Sequence, residues 1–81
     1  MEEKIRKLLE NVITNEGFIL DKVEYEKIGS IYYLRIIIDK DSIVTLDDCV
    51  LVTNIINPIL DKEDPIEENY MLEVCSKERG N

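Results

Sequence analysis

Ile19-Leu20-Asp21-Lys22-Val23-Glu24-Tyr25-Glu26-Lys27-Ile28, then Gly29-Ser30, then Ile31-Tyr32-Tyr33-Leu34-Arg35-Ile36-Ile37-Ile38-Asp39 is the stretch that decides the fold. Two β-type runs separated by two residues, one of them glycine, predict a hairpin. In the second run Tyr32, Leu34, Ile36 and Ile38 share one face, which must be core. Tyr33, Arg35 and Ile37 share the other, where Arg35 can pair with a carboxylate such as Glu24 or Glu73. In the first run Val23 and Tyr25 alternate with Lys22, Glu24 and Glu26, so one side is wet. Such a sheet reads as antiparallel in character, with helices on a single side.

Upstream, Ile5, Leu8, Leu9, Val12 and Ile13 form the i, i+3, i+4, i+7, i+8 stripe of an amphipathic helix over Glu2–Asn15. Gly17 stands just past its end, where a left-handed residue closes a helix without a Cβ clash. Downstream, Asp39-Lys40-Asp41-Ser42 is a turn and Thr45 an N-cap, with Asp47 and Asp48 favoured by the helix dipole. The second helix carries Leu46, Cys49, Val50, Thr53, Ile56 and Leu60 on one expected face, with Val52, Ile55 and Ile59 elsewhere. Its apolar surface therefore exceeds one stripe, and the second set is expected to meet another element or another copy. Pro58 removes an amide and clashes with the Asn54 carbonyl, so a kink or restart is expected there. An acidic loop over 61–69 then leads to a last strand, Tyr70 to Ser76. The order helix-strand-strand-helix-strand makes an α+β two-layer sandwich, a small three-stranded sheet with helices on one face.

The 81 residues carry 18 acidic and 10 basic side chains, for a net charge of −8. That balance argues against generic nucleic-acid binding, which needs a basic footprint to release counterions. With no histidine in the chain, histidine triads and histidine metal clusters are excluded. Cys49 and Cys75 have no C-x-x-C spacing and read as free thiols in a reducing cytosol. The start, Met1-Glu2-Glu3-Lys4, lacks a signal-peptide apolar region, and no apolar run reaches the ~20 residues of a membrane helix. A cytoplasmic location without membrane attachment is expected.

Two acidic clusters invite functional readings. Asp39, Asp41, Asp47 and Asp48 resemble the start of a calcium loop, but Val44 and Val50 stand where an EF-hand needs Gly and Glu. Turn and cap chemistry explains them better, and no metal or cofactor is expected. Asp61, Glu63, Asp64, Glu67 and Glu68 form the denser cluster, against Lys62 alone. An exposed loop lacks the depth for paired-carboxylate catalysis. A solvated face is the default for these five, and a docking surface for a basic partner the sharper reading. Asp39, Asp41, Asp47, Asp48, Val52, Ile55 and Ile59 rank as secondary candidates for partner contact. Cys49 reads as a small buried hydrophobe, and no residue near either cysteine supplies an activating base. No enzyme is expected.

The element order is related to that of KH-type-II domains, which clamp RNA backbone with a GxxG loop. Gly17, Gly29 and Gly80 leave no such spacing, and the charge has the wrong sign. A more specific resemblance lies in Gly17-Phe18, Val23-Glu24-Tyr25, Tyr33-Leu34-Arg35-Ile36-Ile37-Ile38-Asp39 and Ile43-Val44-Thr45-Leu46-Asp47-Asp48-Cys49. It continues through Ile59-Leu60-Asp61, Asp64-Pro65-Ile66 and Tyr70-Met71-Leu72-Glu73-Val74. In that order the chain closely resembles the amino-terminal domain of the ribosome maturation factor RimP family, over about residues 5 to 76.

The resemblance implies a non-enzymatic assembly factor that binds the free or immature small ribosomal subunit and promotes its maturation in the cytoplasm. It also implies a second domain, a small β-barrel. This sequence departs after the last strand, where Cys75-Ser76-Lys77-Glu78-Arg79-Gly80-Asn81 replaces the family's serine-serine-proline-glycine turn. The expected division is a domain over 1–76 and a tail over 77–81, with the second domain absent. Ribosomal proteins are basic, so an acidic domain is expected to act mainly through ribosomal protein, with rRNA contact left open and a monomer favoured. A generic interaction or dimerisation module and a KH-like RNA binder are the alternatives.

Overall fold

The computed structural model describes residues 1–77. Its elements are α1 (Glu2–Asn15), β1 (Ile19–Ile28), β2 (Ile31–Asp39), α2 (Leu46–Glu63) and β3 (Tyr70–Ser76). The three strands form one mixed sheet in the order β1-β2-β3. β1 and β2 pair antiparallel, whereas β2 and β3 pair parallel. The antiparallel expectation is thus corrected for half the sheet. α2 is a crossover that returns the chain to the end where β2 began, and a strand after such a crossover runs parallel to the one before it. The α+β order itself is as expected, and both helices pack against the same sheet face.

The hairpin closes between Ile28 and Ile31, with Gly29 at φ +63° in the first central position. Positive φ there is the type II′ arrangement, whose twist matches that of the strands. One register shift, between Leu20 and Lys22, leaves Asp21 as the extra residue of a bulge. α1 ends through Gly17 at φ +88°, with its amide donating to the Thr14 carbonyl at 3.0 Å.

The core is one apolar cluster. Ile5, Leu9 and Ile13 come from α1, Leu20 and Val23 from β1, Leu34, Ile36 and Ile38 from β2, and Val52, Ile56 and Leu60 from α2. Phe18 and Ile66 close its two ends. Burying each large aliphatic side chain contributes about 1.5–3 kcal/mol. Tyr32 is only half-buried and stacks on Tyr25, with ring centroids 5.6 Å apart and planes within 10°.

α2 departs from the sequence reading in three ways. Its core face is Val52, Ile56 and Leu60, while Leu46 and Val50 are 85% and 57% exposed. Val52, at 1% exposure, is therefore a core residue, and Ile55 and Ile59 pack half-buried against the same core. The element they meet is this domain's own sheet and α1. The helix also continues through Pro58 without the restart that is one of the two expectations there. Asn54 and Pro58 both lie on the solvent side, which leaves the carbonyl the ring cannot bond on the exposed face of the helix. Finally, α2 extends through Glu63, so Asp61 and Glu63 sit on its last turn rather than in a loop.

Beyond β3, the Lys77 amide donates to the Ile38 carbonyl at 2.8 Å and its ammonium lies 3.2 Å from Asp21. Residues 78–81 of the expected tail lie outside the described residues.

Candidate functional site

The start of α2 is built as a cap. The Asp48 amide donates to Thr45 Oγ1 at 3.2 Å, and the Thr45 amide donates to Asp48 Oδ2 at 2.9 Å. This reciprocal pair satisfies two donors that a helix N-terminus otherwise leaves open. Lys40 Nζ lies 2.7 Å from Asp48 Oδ2. Lys40 first, then the Thr45 amide, hold the Asp48 carboxyl below its ordinary pKa. Asp39 accepts from the Lys40 amide at 2.9 Å. Asp41 and Asp47 are exposed. Two of the four acidic residues here, Asp39 and Asp48, are thus committed to local structure.

The second cluster is arranged differently. The chain leaves α2 through Asp64, at φ 44° and ψ 55°, a left-handed conformation in which its amide donates to the Leu60 carbonyl at 2.8 Å. Asp and Asn tolerate that region better than other side chains because they are short and polar. Ile66, 2% exposed, anchors the following loop to the core. Between α2 and β3 lies a cleft of about 310 Å³, with Leu60, Tyr70 and Leu72 in its wall and Asp61, Asp64, Glu67 and Glu68 around it. Glu63 is exposed on the last turn and does not line this cleft. Four of the five primary candidates are therefore brought together.

Among the described residues, Asp61, Glu63, Asp64 and Glu67 form no ion pair. Glu68 accepts a hydrogen bond from the Tyr25 hydroxyl at 3.0 Å, a contact between β1 and the loop that the sequence does not signal. Burial, then Asp61 and Asp64, push the Tyr70 phenol above its ordinary pKa. Asp61, Glu63 and Asp64 also stand at the carboxyl end of a helix, where the macrodipole is negative and further anionic charge is disfavoured. With Lys62 the one basic residue of the last turn, this end of the molecule carries an excess of negative charge.

The sheet's other face carries Arg35 among three carboxylates. It lies 2.9 Å from Glu26, 3.1 Å from Glu73 and 3.6 Å from Glu24. Glu26, then Glu73, raise the guanidinium further above its already high pKa. The expected partners Glu24 and Glu73 are both present, and Glu26 joins them. Burial is the main influence raising both the Cys49 and Cys75 thiols, which makes each a poorer nucleophile at neutral pH. Among the described residues no three Cys, Asp or Glu side chains converge as a cation site. No helix among them is long and apolar enough to cross a membrane.

Residues 8–77 match the RimP N-terminal domain. The chain belongs to the RimP N-terminal domain family. The match takes in α1 from Leu8 onward, the whole sheet and all of α2 with its acidic end. RimP membership carries a role in ribosome maturation in general, and the family is one of ribosome maturation factors. The capping run at Thr45–Asp48 and the Asp64-Pro65-Ile66 segment, which carry the sequence resemblance, here hold the two ends of α2.

Proposed function

We propose that this RimP domain takes part in maturation of the small ribosomal subunit, in the cytoplasm and as a monomer, by contacting a basic ribosomal protein. The observation that carries the reading is the set of carboxylates at the end of α2 with no cationic partner among the described residues. Asp61, Asp64 and Glu67 surround one cleft, and the helix terminus adds its own negative potential. A basic protein would be attracted to this end, whereas the phosphates of bare RNA would be repelled. Of the wider set of candidates, Asp47 and Asp41 remain exposed and contribute to the same overall field.

Co-sedimentation with free 30S subunits, beside naked ribosomal RNA as a control, tests this. The domain is expected to travel with the 30S particle and to leave the RNA unbound at physiological salt. Submicromolar, salt-sensitive binding to the RNA fragment alone would favour the KH-like reading instead.

A second reading, an interaction or dimerisation module, has one observation in its favour. Ile43, Leu46 and Val50 are 81%, 85% and 57% exposed at the start of α2. A concentration-dependent dimer abolished by Leu46→Asp and Val50→Asp would support it.

A further inference from the structure

The two edges of the sheet are treated differently. On β1, the edge backbone is already bonded to α1. The Tyr25 amide donates to Glu2 Oε2 at 3.0 Å. Arg6 donates to the carbonyls of Leu20 and Asp21 at 3.0 and 2.9 Å. With the bulge at Asp21, these bonds take up one amide and two carbonyls of that edge and disfavour a further strand there.

Among the described residues β3 has no such cover. The Lys77 amide bonds to the Ile38 carbonyl on the β2 side. By the two-residue period of a strand, the amides of Met71, Glu73 and Cys75 also face β2. Those of Leu72, Val74 and Ser76 then face outward. No hydrogen bond reaches them from any described residue. Nor does Tyr-Met-Leu-Glu-Val-Cys-Ser contain the proline or lysine that blunts an edge. Alongside this strand runs the cleft between α2 and β3, walled by Leu72 and Tyr70 and surrounded by Asp61, Asp64 and Glu67.

We infer that the open edge of β3 takes up an extended, Lys/Arg-rich segment of a basic protein as a fourth strand. The outward amides and carbonyls of Leu72 and Val74 supply the ladder. Alternate side chains of the added strand face the cleft, where Asp61, Asp64 and Glu67 meet cationic groups. A second copy of this chain is the poorer occupant, because each copy carries −8 and would bring Glu73 against like charge. The inference rests on the proposed contact with basic protein and specifies its geometry.

The test uses the full chain and a synthetic peptide of about eight residues alternating valine with lysine or arginine, a strand's usual length or a little more. Two further versions carry N-methyl groups on alternate amides, in the two opposite phases. Binding of the parent peptide should slow hydrogen exchange at Leu72 and Val74 by tenfold or more. N-methylation in the phase facing β3 should weaken binding about tenfold or more, while the other phase changes it little. Equal binding by both versions, with exchange at Leu72 and Val74 unchanged, would overturn strand addition. So would concentration-dependent protection of those amides without peptide, because a second copy would then occupy the edge. Either result leaves 30S co-sedimentation as it was. Loss of 30S binding with peptide addition intact would instead sink the proposed function and spare the edge.

Discussion

The Tyr25 hydroxyl donates a hydrogen bond at 3.0 Å to Glu68, which lies 43 positions further along the chain. It fastens the loop before β3 to the first strand of the sheet. Partial burial first, then the Glu68 carboxylate, push the Tyr25 phenol up to about 12. A raised folded pKa stabilises the protonated form. That contribution is fully present below the unfolded value near 10 and is lost as pH rises from about 10 to about 12. Tyr25→Phe should remove this part of the alkaline stability loss. Phenolate absorbance should place the Tyr25 step near pH 12 in the native chain and lower in Glu68→Gln. An unmoved step in Glu68→Gln would show that the contact does not form in solution.

The two apolar sets on α2 should separate cleanly by stability. Ile56→Ala removes buried methylenes from a fully enclosed site and should cost about 2–5 kcal/mol. Leu46→Ala, at an exposed position, should stay within about 0.5 kcal/mol of the parent. Urea unfolding of the two variants measures both.

The sequence made much of this fold legible, for local reasons. Period-2 alternation placed Leu34, Ile36 and Ile38 in the core, and Gly29 set the hairpin. Thr45 announced the cap because an N-cap depends on residues within one turn. α2 was misread because it is apolar on more than one side. At 3.6 residues per turn Val50 lies about 120° around the helix from Ile56, so the two cannot share a face, whereas Val52, Ile56 and Leu60 can. A wet sheet face spoke for antiparallel pairing, but the direction of β3 was set by the crossover through α2. The acidic cluster was legible as charge. Its cleft, the engagement of Glu68 by Tyr25 and the bonding of the β1 edge by Glu2 and Arg6 join distant residues, and no local pattern announces such contacts.

Acid should act on the α2 cap. A folded pKa below the unfolded value means that Asp48 contributes stability above the unfolded pKa near 3.9, and that this is lost as pH falls through the folded one. Thr45→Ala breaks the reciprocal cap and should cost about 0.5–2 kcal/mol at neutral pH. In Asp48→Asn the stability lost between pH 5 and pH 2 should be smaller than in the parent. Chemical denaturation across that range reads the difference, and parallel losses in both proteins would contradict it.

Neutralising the far end of α2 should do the opposite of harm. Asp61→Asn with Glu63→Gln removes anionic charge from the last turn and should raise stability by a few tenths of a kcal/mol at low salt. The gain should fade in concentrated salt, where the charges are screened. Asp64→Asn should be tolerated, since asparagine accepts the left-handed conformation. Destabilisation in thermal unfolding at low salt would mean that these carboxylates have a structural role.

The central claim, that the acidic end of α2 draws in a basic partner, is tested most directly by association kinetics. Rim charges act chiefly on the rate of encounter and its salt dependence. The variant Asp61→Asn, Glu63→Gln, Asp64→Asn, Glu67→Gln should bind the free 30S particle with an association rate about tenfold lower at low salt. The gap to the parent should close as salt rises, while dissociation changes less. Identical association rates for parent and variant at low salt would contradict the claim.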